Sequence, residues 1–248
     1  MLIVYLIVLG ILAGIVSSVA SMASLVSYPG LLLVGLSPVV ANMTNTASLV
    51  TTGFGALTSC LKEMKGHWRE LAWYGLFQLS GAAIGGWLLS AFPGEIFKKI
   101  VPFLVLMSGG LLVWSGRRPI YTRDSDSKLK LVLAYLGLFM AGIYAGYFGA
   151  ASGVLTLVFL TYLSKSSFVV INGIKAIIGS LANLVALLIF MCRGLVRWDV
   201  AIPLAAGMFI GGFLGQKLIK YLKPSLVRGV TAAFSVALAA YLAASAWF

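Results

Sequence analysis

Runs of about twenty predominantly apolar residues follow one another along the whole of this chain, each long enough to cross a hydrocarbon core ~30 Å thick. They fall at 2–36, 38–61, 69–91, 96–115, 130–163, 167–192, 199–221 and 225–247. A chain in lipid must satisfy its backbone hydrogen bonds internally, and segments of this length do so as helices. Charged residues make up only 10% of the sequence, against about 25% for a soluble domain, so no part of it reads as a separate soluble unit. The net charge of +12 would suggest nucleic acid for a protein in water. On a chain of this kind it reads as cationic loops that set orientation in a bilayer, and no nucleic-acid partner is expected. The opening MLIVYLIVLG lacks the basic start of a cleavable signal peptide, so residue 1 is read as part of the mature chain. Cys60 and Cys192 have no metal-ligand spacing and His67 is the single histidine, so neither a metal nor a cofactor is expected, nor is enzymatic activity.

The one long polar stretch, between Ser115 and Lys130, divides the chain into an N-terminal repeat (1–115), a cytoplasmic linker (116–129) and a C-terminal repeat (130–248). A shift of 128 residues aligns Ala13-Gly14-Ile15 with Ala141-Gly142-Ile143 and Ala23-Ser24 with Ala151-Ser152. A shift of 130 then pairs Asn42 with Asn172, Trp68 with Trp198, Gly81 with Gly211 and Gly85 with Gly215. Matches of Asn and Trp on one offset point to an internal duplication. Segments 2–36 and 130–163 are long and interrupted by small residues: Ser17, Ser18, Ser21 and Ser24 in one, Gly146, Gly149, Ser152 and Gly153 in the other. If each is a broken pair of crossings, the repeats are inverted, and 13 Lys and Arg lie on one side against Lys98, Lys99, Arg193 and Arg197 on the other. Single crossings give 10 against 7. The positive-inside rule therefore favours an all-α polytopic membrane protein of two inverted repeats, each of about four to five segments with the first broken or re-entrant. Both termini are then external.

Polar groups inside hydrocarbon mark the candidate site. Lys175 reads as close to mid-bilayer, and Asn172, Lys175, Gly179 and Asn183 share one helix face. Asn42, Asn45, Thr46 and Gly53 form a matching stripe after a Ser37-Pro38 helix start, with Asn45 in the place of Lys175. Interhelical hydrogen bonding is the alternative role for the amides, and snorkelling or pairing the alternative for the lysine. The glycine sets Gly81/Gly85/Gly86 and Gly211/Gly212/Gly215 read as helix-packing interfaces. Helix ends at the broken segments suit an anion, with donors from Ser21, Ser24, Tyr144, Tyr147, Ser152 and the backbone at Gly149. All six acidic residues (Glu63, Glu70, Glu95, Asp124, Asp126 and Asp199) fall in or beside loops, so Lys175 has no evident carboxylate partner and a bound anion would relieve its charge.

At GILAGIVSSVASMASLVSYPGLLLVGLSPVVANMTNTASLVTTGFGAL, MAGIYAGYFGAASGVLTL, VVINGIKAIIGSLANLVALLIF and GLVRWDVAIPLAAGMFIGGFLGQKL the chain resembles the TauE/SafE sulfite exporter family, also called the 4-toluene sulfonate uptake permeases. The Asn42 and Asn172 motifs, Pro29 and Gly149/Ser152/Gly153 match the family pattern; Ser18, Ser21 and Ser24 stand where the family usually has a glycine cluster. The resemblance implies transport of a small organosulfur or carboxylate anion across the bacterial cytoplasmic membrane. The expectation is an alternating-access transporter with Lys175, Asn172, Asn183, Asn42, Asn45, Thr46, Ser21, Ser24, Gly149 and Ser152 around the anion. A channel-like facilitator of small anions, including short carboxylates, is the alternative. A coupling proton or Na⁺ and a homodimer are left open as further partners.

Overall fold

A computed structural model describes residues 1–20, 22–60, 64–92, 94–117, 128–218 and 224–247. Among them are ten helices and no strand: α1 Leu2–Ala20, α2 Ser24–Leu33, α3 Pro38–Cys60, α4 Trp68–Ala91, α5 Gly94–Arg117, α6 Lys128–Tyr147, α7 Ser152–Leu163, α8 Phe168–Cys192, α9 Trp198–Leu218 and α10 Pro224–Trp247. The two long segments are each a pair of helices, with breaks at the expected clusters of small residues. Their second members, α2 and α7, have 10 and 12 residues. At ~1.5 Å per residue each covers only about half of a hydrocarbon core. Large apolar side chains such as Val4, Trp73, Phe103, Leu136, Ile202 and Phe209 face outward, the arrangement lipid requires.

Glycine contacts fix the helix directions. Gly10 and Gly14 of α1 abut Leu204–Met208 and Met208–Gly212 of α9, so the two helices run parallel. Gly81 and Gly85 of α4 abut Phe139–Ile143 and Ile143–Tyr147 of α6, also in parallel. Hydroxyls of α3 follow α9 in the same sense, Ser48 donating to the Ala201 carbonyl (3.0 Å) and Thr51 to that of Ala205 (3.3 Å). Gly75 and Gly86 of α4 meet Ile178 and Ala186 of α8 in register. α2 turns back along α1, so that the Tyr5 hydroxyl near the start of α1 donates to the Gly30 carbonyl near the end of α2 (3.1 Å). Thus α1, α3 and α9 run away from the face that carries Met1, and α4, α6 and α8 run toward it. Lys65, Arg69, Lys128, Lys130 and Lys165 lie at helix ends away from Met1, whereas Lys98, Lys99, Arg193 and Arg197 lie at the Met1 face.

Small residues let these backbones approach closely, which is what associates helices where lipid supplies no hydrophobic drive. A Cβ at Gly81, Gly85, Gly142 or Gly146 would overlap a carbonyl oxygen of the facing helix, as would one at Gly207 or Gly211. The interface reading therefore holds for Gly81, Gly85, Gly86 and Gly211. Gly212 departs from it: no atom lies within 4 Å of the Cβ position, and Gly207 takes its place against α1. One residue along a helix is a turn of about 100°, enough to carry Gly212 off the contact.

Candidate functional site

α6 stops and α7 starts inside the bundle. Gly85 and Gly86 of α4 lie beside the last turn of α6, and α4 continues five more residues to Ala91. The break thus sits about 7 Å below the end of α4. Gly149 (φ +78°) and Ala151 (φ +62°) take the left-handed conformation that reverses the chain. For alanine this costs roughly 1–2 kcal/mol, strain of the kind that surrounding contacts must hold in place. Here they do: the Tyr144 hydroxyl donates to the Ala150 carbonyl (2.7 Å), and the Ser108 hydroxyl of α5 lies 2.6 Å from that phenol and 3.0 Å from the same carbonyl. α7 begins at Ser152 with no side-chain cap; in its first turn the Ser152 N–H donates to the Gly149 carbonyl (3.2 Å) and the Val154 N–H to the Ala151 carbonyl (2.9 Å).

The first stripe packs around this break. Asn42 donates from Nδ2 to the Tyr147 carbonyl (2.9 Å), capping the end of α6. Asn45 donates to Ser24 Oγ (3.1 Å) and accepts from the Ser27 hydroxyl (2.5 Å), pinning α3 to α2. Thr46 bonds back to the Asn42 carbonyl (3.0 Å). Asn42, Asn45, Thr46 and Ser24 are all buried. Tyr28, Phe97, Tyr144, Tyr147 and Phe148 close over them, with Tyr28 edge-on to Phe148 at 5.5 Å and Phe97 edge-on to Tyr147 at 5.6 Å. On the Met1 side the amides are thus engaged within the chain, in the interhelical role. Ser21 lies outside the described residues, as do Glu63, Asp124 and Asp126.

The second stripe differs. Asn172 is exposed, Lys175 and Asn183 are half-buried, and the Gly179 Cβ position has no atom within 4 Å. Lys175 lies seven residues into the 25-residue α8, about 10 Å from its start. One expectation for it needs correction: it takes part in an interaction within the chain, so it is not an unpartnered cation. Asn45 likewise lies seven residues into α3, which runs the opposite way. Asn42 and Asn45 are thus buried toward the Met1 face, whereas Asn172 and Lys175 lie toward the other face and are more exposed. Gly149 and Ser152 flank the α6–α7 turn beside Asn42.

One cluster was missed in the sequence. Ser164 donates to Glu70 Oε2 (2.7 Å), and Ser166 lies 3.2 Å from both Glu70 Oε1 and His67 Nδ1, tying the loop before α8 to the start of α4. The lone histidine three residues before a glutamate was the available signal. Apolar grooves of about 710 Å³ (lined by Ala47, Thr51, Ala205 and Phe209) and about 540 Å³ (Phe77, Tyr135 and Phe139) open on the outer surface and include no residue of either stripe. No group of three metal-ligating side chains occurs among the described residues.

The chain is similar to a protein of Haemophilus influenzae named "Probable membrane transporter protein", with 26% identity covering 88% of this chain and 86% of the relative. It is 24% identical to "Probable membrane transporter protein ORF9" of a Sinorhizobium species (98% and 93% covered) and 22% identical to "Probable membrane transporter protein YfcA" of Escherichia coli K12 (93% and 86%). No solved structure matches. The family model described as "Sulfite exporter TauE/SafE" matches residues 6–242, and the chain therefore belongs to this family of membrane transporters.

Proposed function

We propose that this protein carries a small organosulfur oxyanion, sulfite or a sulfonate, across the bacterial cytoplasmic membrane by alternating access. The observation that carries the reading is the polar stripe of α8, Asn172, Lys175, Gly179 and Asn183, which is more exposed than the buried stripe around Asn42 and Asn45. The uncapped start of α7 and Ser152 lie deeper along the fold, and N–H groups at a helix start favour an anion. Lys175 supplies charge, Asn172 and Asn183 supply donors, and Asn42, Asn45 and Ser24 position the half-helices.

The two halves are inverted repeats in this reading. Its support is the exchange of packing between them: α1 lies on α9 as α6 lies on α4, in each case through glycines. The face away from Met1 is cytoplasmic, since it gathers the basic residues. The exposed thiol of Cys192, at the end of α8 on the Met1 face, checks this. A membrane-impermeant maleimide should label it in intact cells, and protection until lysis would reverse the orientation.

Flux of sulfite, thiosulfate, sulfonates and short carboxylates into proteoliposomes holding only this protein tests the function. Saturable uptake of one anion class is expected; none above empty vesicles would end the proposal. The placing of Glu70, Glu95 and Asp199 in first helical turns keeps a channel-like facilitator as a second reading. Uphill accumulation would separate the two.

A further inference from the structure

The end of α6 is a source of negative potential within the membrane. The last carbonyls of a helix lose their i+4 donors, and the macrodipole adds about half a negative charge there. No basic residue lies in the last turn of α6 to offset it. The Gly149 N–H, helical partner of the Ala145 carbonyl, is diverted to the Tyr144 carbonyl (3.0 Å). Asn42 lies directly against this end. Its Nδ2 donates to the Tyr147 carbonyl, which fixes the amide orientation, because the flipped amide would set two acceptors against each other. Oδ1 is then a further acceptor; Asn42 is 1% exposed, and among the described residues Oδ1 receives no hydrogen bond. The Tyr28 hydroxyl, on a ring packed against Phe148 and also 1% exposed, has no hydrogen-bond partner among the described residues either.

Buried acceptors at a negative helix end suit a cation and repel an anion. All the atoms are oxygens, which selects a hard metal ion over a soft one. None is a carboxylate, which leaves a divalent charge poorly compensated, and an amide does not titrate to carry a proton. We propose that the end of α6 is a Na⁺ site, formed by Asn42 Oδ1 and the carbonyls freed at the helix end, with the Tyr28 hydroxyl as a further oxygen, and that this Na⁺ drives anion transport. The inference rests on the anion-transporter reading above. Its coupling is electrostatic: the break holds a cation at the end of one half-helix and favours an anion at the start of the next, so each ligand raises the other's affinity.

Thermal unfolding of the purified full-length protein, titrated with NaCl against KCl and choline chloride at constant ionic strength, tests the site. A saturable rise in Tm specific to Na⁺ is expected. Tyr28→Phe should keep the fold and raise the Na⁺ midpoint several-fold; Asn42→Ala, where it folds, should abolish the response. Coincident curves in the three salts overturn the site, as does an unchanged midpoint in Tyr28→Phe together with any folded Asn42 variant. Sulfite flux into proteoliposomes completes the test. Equal flux in Na⁺ and choline overturns the coupling and leaves the anion reading standing. A Na⁺-specific shift with no flux of any anion upholds the site and overturns that reading instead.

Discussion

Gly85→Leu is expected to eliminate folded protein, seen as loss of the monodisperse peak when the detergent-solubilised chain is sized by chromatography. A Cβ at this position would overlap the Ile143 carbonyl oxygen and lie 2.8 Å from the Tyr147 amide nitrogen. Both are backbone atoms of α6, so no side chain can swing aside, and the helices must separate along the contact. One inserted methyl costs about 1–3 kcal/mol in a packed core, a large share of a total of about 5–15 kcal/mol; leucine adds three further carbons. Gly110→Leu is the control. That exposed position on α5 has no atom within 4 Å, and the variant should unfold within a few degrees of the parent. A parental Tm for Gly85→Leu would show that α4 and α6 do not meet in this register.

The second large effect is functional. Lys175→Met should lower anion flux in proteoliposomes about tenfold or more while the protein still elutes as a folded species. A tenfold loss corresponds to only ~1.4 kcal/mol of lost stabilisation, less than a half-buried ammonium close to an anion would supply. Folding should tolerate the change, because placing a lysine in a membrane helix itself costs roughly 2.5–3.5 kcal/mol on insertion scales. Lys175 has a partner within the chain, so Lys175→Gln, which keeps a hydrogen-bond donor, serves as a second variant. Lys175→Arg should retain most of the flux. Undiminished transport by a folded Lys175→Met protein would remove the lysine from the site.

Helix limits were legible because punctuation in lipid is chemically sharp. Pro38 opens α3 where Ser37-Pro38 placed the start, and Trp68 and Trp198 open α4 and α9 one residue ahead of the expected segments. The breaks were legible too: Gly149 supplies a positive φ that few other residues adopt, and it stood within the cluster of small residues. What a face points at was not legible. The spacing of Asn42 and Asn45 puts them on one stripe, but only the fold brings Ser24, Ser27 and the Tyr147 carbonyl to meet them. Asn172 has the same chemistry and stays open.

The exchange of α1 and α6 between the halves bears on how the chain is made. Gly10 and Gly14 meet their backbone partners only when α9 leaves the ribosome, about 180 residues after α1, or roughly 10–40 s at 5–20 residues per second. Through that interval α1 presents a groove of bare backbone to lipid or to the insertion machinery. α4 waits far less, since α6 is the second helix after it. The α4–α6 pair can thus form while synthesis continues, and α1 docks late. Ribosome stalling or truncation ahead of α9 would leave α1 without its principal neighbour, an unfinished product that membrane quality control can recognise.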